Sequence, residues 1–273
     1  MKLNELIKKN KIISPIAWRI FYARQTGNAY KQNRQLCDRL LSLKDKHSGE
    51  RCFVIGTGPS LRAEDLDILK ANGIDSFGTH RIYKIFASTT WRPTYYVAQD
   101  YALIEEIQNE IKAADCPIKI LPVYFKDNFG DGNEYMYYVL HEYADSAERI
   151  HFSEKANRYI SQGFTVTYAS IQLAIWMGYS EIYLLGVDHN YSSYLSKDGT
   201  VISDNKVKDY FGSEKISSSN SGNLPRLDDS SRGFLEARKY AEEHNVKIYN
   251  ATRGGKLEIF PRVDFDEMLG TKG

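Results

Sequence analysis

The sequence has no apolar run long enough to cross a membrane, and it contains little cysteine. No uninterrupted stretch approaches the roughly 18 apolar residues that a membrane-spanning helix needs, and residues 1–13 lack the apolar core of a secretory signal peptide. The three cysteines, Cys37, Cys52 and Cys116, lie far apart, with no C-x-x-C spacing. This distribution predicts neither a disulfide framework nor a zinc site. It favours the reducing cytoplasm as the location of the protein.

An excess of charge of one sign is missing as well. The chain carries 36 Lys and Arg against 35 Asp and Glu, a formal net charge of +1, so we expect no nucleic-acid partner. Several enzyme signatures are also absent: H-E-x-x-H, a Walker sequence, and a nucleophile elbow with Ser, His and Asp in order. These absences argue against hydrolase and zinc-enzyme functions. An NAD dehydrogenase is disfavoured too, because Gly78-Thr79-His80 stands where an acidic residue would end the second strand.

Short apolar segments alternate with amphipathic ones along most of the chain. This alternation predicts a Rossmann-like α/β fold, with a mainly parallel sheet covered by helices. The expected strands span residues 51–55, 75–79, 94–98, 118–122, 149–152, 181–185 and 246–249, and the expected helices span residues 61–71, 101–114, 165–177 and 231–244. We expect this domain to occupy residues 49–273, preceded by a helical N-terminal arm, residues 1–48.

The N-terminal arm mixes basic and apolar residues between positions 8 and 24, Trp18 and Phe21 among them. The favoured interpretation is that the arm packs on the main domain, or on a second subunit of a homo-oligomer. Peripheral contact with an anionic membrane surface, at the inner face of the membrane, is the alternative.

One segment is more informative than any other. A short apolar run, residues 52–55, ends in Gly56-Thr57-Gly58-Pro59-Ser60, and an amphipathic stretch follows. This order predicts a strand, a tight turn and a helix with Ser60 as its N-cap. Such a turn presents backbone N–H groups and a helix N-terminus to an anion, usually a phosphate. An ordinary strand-to-helix turn is the alternative. A bulky residue at position 58 is expected to block the phosphate while leaving the fold largely intact.

Polar side chains follow three further predicted strands. His80 and Arg81 follow the second strand, Asp100 follows the third, and Asp188 and His189 follow the strand at residues 181–185. Ligands of open parallel sheets bind beyond the carboxyl ends of the strands. We therefore expect these side chains to surround one ligand together with the glycine turn.

Each of these residues has a chemical role and a structural alternative. Asp188 and Asp100 are expected to contact a ribose, a sugar hydroxyl or magnesium. The alternative is that they stabilise a turn or cap a helix. His189 predicts a general base or a phosphate contact, although a histidine after a strand is often structural. Arg81 and His80 predict phosphate contacts, and a buried neutral ring is the alternative for His80.

Two further segments are expected at the site. Thr165 opens a long predicted helix, whose N-terminus attracts an anion or a base edge. Residues 190–226 are rich in Ser, Gly, Asn and Asp, and predict a lid that orders over bound substrate. Tyr191 and Tyr194, near its start, are expected to stack on a base or to bind phosphate, or else to anchor the lid.

Four segments give the chain a family resemblance. Gly-Thr-Gly-Pro-Ser-Leu at 56–61, Gly-Thr-His-Arg-Ile-Tyr at 78–83, Trp-Arg-Pro-Thr-Tyr-Tyr-Val at 91–97 and Met-Gly-Tyr-Ser-Glu-Ile-Tyr-Leu-Leu-Gly-Val-Asp-His-Asn-Tyr at 177–191 resemble the 6-hydroxymethylpterin diphosphokinase MptE-like family. The resemblance covers about residues 51–250. The layout is also similar to that of bacterial CMP-sialic-acid-dependent sialyltransferases and of motility-associated flagellin glycosylation factors.

The resemblance to sialyltransferases implies a modified Rossmann fold with a nucleotide phosphate on the glycine turn. The residues implied to contact the nucleotide are Gly56, Thr57, Gly58, Ser60, His80, Tyr191 and Tyr194. Thr57 and His80 replace asparagines of those enzymes. The histidine that serves them as base corresponds to Asp228 here, and an aspartate can deprotonate a hydroxyl only if it is held close and polarised.

Three functions are consistent with these observations. The first is a nucleotide-dependent glycosyltransferase that moves a sugar from a CMP-activated acidic donor to a surface glycan; it needs no cofactor, and Asp228, His189 and Asp188 are its candidate catalytic residues. The second is transfer of pyrophosphate from ATP to a pterin-like alcohol, which requires Mg²⁺ on Asp100 and Asp188. The third is a nucleotide-binding accessory protein that has lost its base. The first is favoured.

Overall fold

The computed structural model describes residues 13–142, 150–196, 198–204, 206–211 and 224–270, with side chains from residue 17 onward. Its strands are β1 (Arg51–Ile55), β2 (Asp75–Thr79), β3 (Tyr95–Val97), β4 (Ile118–Pro122), β5 (Tyr135–Tyr138), β6 (Leu140–His141), β7 (Ile160–Ser161), β8 (Glu181–Leu185), β9 (Ser193–Leu195), β10 (Val201–Ser203) and β11 (Lys247–Asn250). Its α-helices are α1 (Ile13–Gln32), α2 (Arg34–Asp38), α3 (Ala63–Ala71), α4 (Tyr101–Glu106), α5 (Gln108–Ala113), α6 (Lys126–Phe129), α7 (Val166–Trp176), α8 (Leu227–Glu243) and α9 (Phe265–Met268).

Seven of these strands form one sheet in the order β11-β8-β1-β2-β3-β4-β5. Every neighbouring pair in it is parallel. From β1 the chain builds outward through β2 to β5, then crosses to the other side of β1 to form β8 and β11. The strand order thus reverses between β1 and β8, where open α/β sheets form a ligand crevice. The predicted Rossmann-like fold is confirmed.

Strand β1 shows how the sheet is buried on both faces. Cys52 and Val54 belong to one apolar cluster and Phe53 and Ile55 to the other, and all four side chains are fully buried. Such a strand is apolar at successive positions rather than at alternate ones. Helix α7 covers the first face and buries every residue except Ile175. A helix that is apolar all round belongs to the core.

One predicted strand is wrong and another was missed. Of the expected strand at residues 149–152, the described residues 150–152 form no strand. The Phe152 ring stacks on Tyr240 with 4.0 Å between centroids, and the next N–H, that of Ser153, donates to the Gln172 side chain. Side-chain contacts therefore replace the backbone hydrogen bonds that a neighbouring strand would supply. The fifth strand is instead β5, whose four residues are all buried and so show no alternation.

Three helix boundaries also differ from their predicted positions. The expected helix at residues 101–114 is divided into α4 and α5 at Ile107, which has φ −110° and ψ 22°. Helix α8 begins four residues earlier than predicted. Helix α3 has Arg62 as its N-cap residue, without a side-chain capping bond, so the prediction that Ser60 caps it is wrong.

The N-terminal arm contributes helix α1. Its Trp18 and Phe21 rings meet edge to face at 5.5 Å between centroids, and Phe21 is 38% exposed. Thr26 Oγ1 lies 2.8 Å from His141 Nδ1, which joins the arm to β6. Of the helices that the structure describes, none has the length and apolar character that crossing a membrane requires. Membrane contact and a second subunit remain predictions.

A buried glutamine holds the chain around α7 in place. Gln172 Oε1 accepts hydrogen bonds from the N–H groups of Ser153 and Ser161, at 3.0 and 3.1 Å. Its Nε2 donates to the carbonyls of Ser161 and Tyr168, at 2.9 and 3.3 Å. The amide is fully satisfied although it is completely buried. It fixes the chain just ahead of the N-terminus of α7.

Replacing the Gln172 amide tests whether it holds residues 153 and 161 in place ahead of α7. We expect Gln172→Leu to lower the free energy of unfolding by about 2–4 kcal/mol, because it leaves two buried N–H groups without an acceptor. Ser170→Ala is the matched control, since the Ser170 hydroxyl bonds only to the Val166 carbonyl of its own helix; it should cost less than about 1 kcal/mol. Urea unfolding measures both. If both variants lost the same free energy of unfolding, the Gln172 side chain would not have this role.

Candidate functional site

A cavity of about 1020 Å³ opens at the carboxyl edge of the sheet, around the point where the strand order reverses. Predicted site residues that line it are Gly56, Thr57, Gly58, His80, Arg81, Asp100, Thr165, Asp188, His189 and Tyr191. The predicted residues outside its lining are Pro59, Ser60, Tyr194 and Asp228. The structure therefore brings ten of the predicted residues together around one space.

Most backbone N–H groups of the glycine turn already donate hydrogen bonds to other parts of the protein. The N–H of Gly56 donates to the carbonyl of Leu185, at 2.8 Å, and that of Gly58 to the carbonyl of Gly186, at 2.9 Å. Among the described residues, the N–H of Thr57 meets no acceptor. The turn therefore offers an anion one backbone N–H rather than a full cradle.

Both glycines of the turn are required by the approach of the segment that follows β8. A Cβ placed on Gly58 would stand 2.8 Å from Asp188 Cγ and 2.8 Å from the Gly186 carbonyl oxygen. A Cβ on Gly56 would also run into that carbonyl. The prediction that a bulky residue at position 58 spares the fold is therefore not supported. Its side chain would strike protein before it reached a ligand.

Asp188 ties the turn to the end of β8. Its Oδ2 accepts from the Ser60 hydroxyl at 2.7 Å and from the Ser60 N–H at 3.4 Å. Its backbone carbonyl accepts from the N–H of Lys256 at 2.7 Å. Burial raises the pKa of the Asp188 carboxyl, and the bonds from Ser60 oppose that rise. Asp188 thus has the structural role that the sequence left open, while still lining the cavity.

His80, at the end of β2, is a neutral hydrogen-bond donor. Its Nε2 accepts from the N–H of Gln99 at 3.3 Å, and its carbonyl accepts from the Tyr96 hydroxyl. Burial lowers the pKa of His80 to about 4, which the nearby Asp100 carboxylate opposes. At neutral pH the ring therefore carries its hydrogen on Nδ1. That N–H meets no acceptor within the described part of the chain.

His189, after β8, is the second neutral histidine of the cavity. Its Nε2 lies 2.9 Å from Ser231 Oγ, and its ring meets the edge of Phe234 at 5.6 Å. Burial lowers the pKa of His189 to about 4, and the Asp228 carboxylate opposes this shift. Asp228 itself is exposed in the first turn of α8. It therefore acts on His189 through charge, from outside the cavity.

Three non-glycine residues of the cavity lining have left-handed backbone conformations that favour glycine. They are His80 with φ 46°, Phe164 with φ 55° and His189 with φ 51°. Such a conformation costs a non-glycine residue about 1–3 kcal/mol and persists where surrounding contacts fix it. Its concentration at one cavity is typical of a functional site.

The two arginines of the cavity, Arg81 and Arg226, have acidic partners. Arg81 Nη2 lies 2.7 Å from Glu106 Oε1. Arg226 Nε lies 2.7 Å from Asp229 Oδ2, and its guanidinium covers the Phe164 ring at 4.5 Å from the centroid. A phosphate would therefore meet cations that are already positioned, and it would compete with carboxylates for them.

The two carboxylates proposed as magnesium ligands both have structural roles. Asp100 Oδ1 caps α4 by accepting from the N–H of Leu103 at 2.9 Å, and Asp188 Oδ2 holds Ser60. Within the described ranges, the ligand atoms of three acidic or histidine side chains come together at His47, Glu50 and Asp75. That group lies before β1 and at the start of β2, on the opposite edge of the sheet. Each of the two cavity carboxylates therefore has one oxygen already engaged by the fold.

Described parts of the predicted lid line the cavity at residues 190–191, 209–210 and 224–226. The hairpin β9–β10, in which Tyr194 pairs with Ile202, lies outside that lining. Asp209 accepts two bonds from Ser192, from its N–H and its hydroxyl, both at 2.6 Å. The N–H of Phe211 donates to the carbonyl of Thr57 at 3.1 Å. Residues 197, 205 and 212–223 of the lid lie outside the described residues, and its closure remains a prediction.

Thr165 is the N-cap of α7, as its predicted place at the start of that helix requires. Its Oγ1 accepts from the N–H of Thr167 at 3.3 Å. Thr165, Val166 and Thr167 all line the cavity. The positive end of an eleven-residue helix is therefore directed at the ligand space.

Sequence reasoning assigned no role to two polar residues that bond to the histidines of the site. Gln99 lines the cavity beside His80, and Ser231 bonds to His189. The Gln99-Asp100 pair at the end of β3 was a visible signal, but only its aspartate was selected. Ser231 carried no signal, because α8 was predicted to begin there rather than at Leu227.

The sequence matches the family described as 6-hydroxymethylpterin diphosphokinase MptE-like over residues 24–193. The chain belongs to this family. No curated protein shows significant sequence similarity to it.

Two solved structures resemble this MptE-like chain at low identity. One is a MAf glycosyltransferase from Magnetospirillum magneticum AMB-1, with 18% identity and a TM-score of 0.49, over 85% of this chain and 39% of that one. The other is the sialyltransferase CstII from Campylobacter jejuni in complex with a substrate analogue, cytidine-5'-monophosphate, with 15% identity and a TM-score of 0.46, over 79% of this chain and 85% of that one. The chain thus spans well under half the length of the first. Neither likeness carries a conclusion about activity.

The close approach at Gly58 predicts a loss of stability on substitution. Gly58→Ala should lower the free energy of unfolding by about 1–3 kcal/mol, because the added methyl group overlaps Asp188 and the Gly186 carbonyl. Gly27→Ala is the control: a Cβ there meets nothing within 4 Å, and α1 gains a better helix former. Urea unfolding measures both. A Gly58→Ala variant as stable as the wild type would contradict the overlap.

The two neutral histidines predict a dependence of stability on pH. Their native pKa values of about 4 lie below the ordinary 6.5, so the unfolded chain binds protons at a higher pH than the native one does. Stability should therefore be greatest above about pH 6.5 and fall toward pH 4. Between about pH 7 and pH 4.5 the wild type should lose about 3–5 kcal/mol more than His80→Asn/His189→Asn, whose asparagines tolerate positive φ. Equal losses in urea unfolding would contradict this assignment.

Proposed function

We propose that the protein is a glycosyltransferase that takes a sugar from a nucleotide-activated donor, a CMP-activated acidic sugar, and passes it to a glycan hydroxyl. One observation carries the proposal: the glycine turn, the ends of β2 and β3, the N-terminus of α7 and His189 line a single cavity of about 1020 Å³. Cavities of roughly 300–1,000 Å³ hold drug-sized ligands. This one has room for a nucleotide and its sugar together.

The donor phosphate is proposed to lie between the glycine turn and α7. The unbonded N–H of Thr57 and the N-terminus of α7 both attract negative charge. Arg81 supplies a guanidinium that Glu106 holds in position. These groups would stabilise the charge that develops on the phosphate as it leaves, and they are fixed before the substrate arrives.

His189 is the proposed general base. The acceptor hydroxyl oxygen forms a bond to the anomeric carbon while the bond from that carbon to the phosphate oxygen breaks. The bonding pair leaves with the nucleotide phosphate, and the hydroxyl proton passes to His189. With Nε2–H donated to Ser231 Oγ, the lone pair of Nδ1 takes the proton, since no described residue bonds to that atom.

Asp228 is proposed as a positioning residue rather than as the base. It is exposed and lies outside the cavity lining. Its carboxylate raises the pKa of His189 against the effect of burial. A general base works best with a pKa near the operating pH. Negative charge from a bound nucleotide would shift the His189 pKa in the same direction.

Transfer of pyrophosphate from ATP is the less favoured function. It needs magnesium at Asp100 and Asp188, and each of those carboxylates already accepts a bond that the fold requires. A metal-independent displacement agrees better with these contacts. A non-catalytic accessory protein would bind the nucleotide without turnover, which the following experiment detects.

The test combines nucleotide binding with transfer. In thermal-shift measurements, CMP should stabilise the protein equally with and without magnesium, and more than UDP, GDP or ATP does. His189→Asn should lower transfer from a CMP-activated acidic sugar by about 10²–10⁴-fold, with donor affinity changed only a few-fold. Asp228→Asn should shift the acidic limb of the pH–rate profile to lower pH. His244→Asn is the control, because His244 is exposed and lies outside the cavity.

Each other outcome counts against the proposal in a specific way. Stabilisation by ATP only with magnesium would support pyrophosphate transfer. CMP binding without turnover of any CMP-sugar would support the accessory role. Full activity in His189→Asn would remove that residue as the base.

A further inference from the structure

Gln99 is a buried amide with an unmet acceptor. Its side chain lies at the end of β3, is 6% exposed and lines the cavity. Among the described residues, its Oε1 has no hydrogen-bond partner. A buried acceptor without a partner costs about 1–3 kcal/mol, so such an atom beside an open cavity calls for a donor from a bound ligand or from a water molecule.

His80 contributes a hydrogen-bond donor next to the Gln99 acceptor. The Gln99 N–H is already used, since it donates to His80 Nε2. The pKa of His80 near 4 keeps the ring neutral, which leaves Nδ1–H as a donor. The two side chains therefore present a donor at the end of β2 and an acceptor at the end of β3. Tyr101, two residues after Gln99, adds aromatic surface to the same cavity.

The order of the strands matches the order of groups in a nucleotide. The glycine turn follows β1, His80 follows β2 and Gln99 follows β3, and these strands are neighbours in the sheet. In dinucleotide-binding sheets the phosphate lies at the turn after the first strand and the ribose at the end of the second. Neighbouring strands are about 4.8 Å apart. A nucleotide laid along this edge puts its base at Gln99.

We propose that Gln99 reads the exocyclic amine of the nucleobase, so that the cavity takes amino bases, cytosine or adenine, in preference to their oxo counterparts. The amine of such a base gives Oε1 the donor that it lacks. An oxo base would set its carbonyl oxygen against Oε1, two acceptors facing each other without a proton. The inference rests on the proposed function only in that a nucleotide occupies the cavity.

Matched base pairs test the inference. By calorimetry, CMP should bind about 5- to 100-fold more tightly than UMP, and AMP more tightly than IMP by a similar factor. Each pair differs in an amine or a carbonyl at one ring position, and in the hydrogen that the oxo base carries on the neighbouring ring nitrogen. In Gln99→Met, which keeps the length of the side chain without its polar atoms, both ratios should fall to about one, while the affinity for ribose 5-phosphate stays unchanged. Gln108→Met, outside the cavity, should keep the wild-type ratios.

The outcomes separate this inference from the proposed function. Equal binding within both pairs, or ratios that survive Gln99→Met, would overturn it. Weaker binding of ribose 5-phosphate to Gln99→Met would overturn it too, because Gln99 would then support the ribose. A preference for AMP over CMP would remove the CMP donor from the proposed function and leave the role of Gln99 standing. If no nucleotide binds, both fall. The affinity ratios of the wild type, CMP over UMP and AMP over IMP, test the inference even if Gln99→Met fails to fold.

Discussion

The site depends on one contact, the approach of the glycine turn after β1 to the segment that follows β8. The N–H of Gly58 donates to the Gly186 carbonyl at 2.9 Å, and the Ser60 hydroxyl donates to Asp188 at 2.7 Å. These bonds join the two segments that flank the reversal of strand order. They also set the turn at the edge of the cavity. The other residues of the cavity lining are positioned relative to this contact between the glycine turn and the segment after β8.

The same contact decides which groups can recognise a ligand. Because the turn bonds to the end of β8, it cannot also wrap a phosphate with all its N–H groups, and only that of Thr57 is left over. In the proposed site, recognition therefore depends on neighbouring elements: the N-terminus of α7, the donor of His80 and the acceptor of Gln99. The glycines serve mainly the approach of two protein segments, and the ligand meets the side chains around them.

The sequence could predict where the site lies, because parallel strands deliver the residues after their carboxyl ends to one edge. His80, Asp188 and His189 were found in this way. It could not predict which partner each polar group takes. Ser60 looked like a helix cap, but its hydroxyl bonds across the switch point to a residue 128 positions away. Asp228 was aligned with a base, but the start of α8 leaves it outside the cavity. Such contacts depend on how the elements pack, which local patterns do not contain.

The electrostatics of the cavity imply an order of events. His80 and His189 are neutral because burial lowers the pKa of each to about 4, and Arg81 is paired with Glu106. A base with a pKa this low accepts a proton poorly at neutral pH. The phosphate of a bound donor would bring the uncompensated negative charge into the cavity and raise the His189 pKa. Under the mechanism proposed above, the ring becomes an effective base only when the donor is present, so the acceptor hydroxyl is activated only when a sugar is ready for transfer.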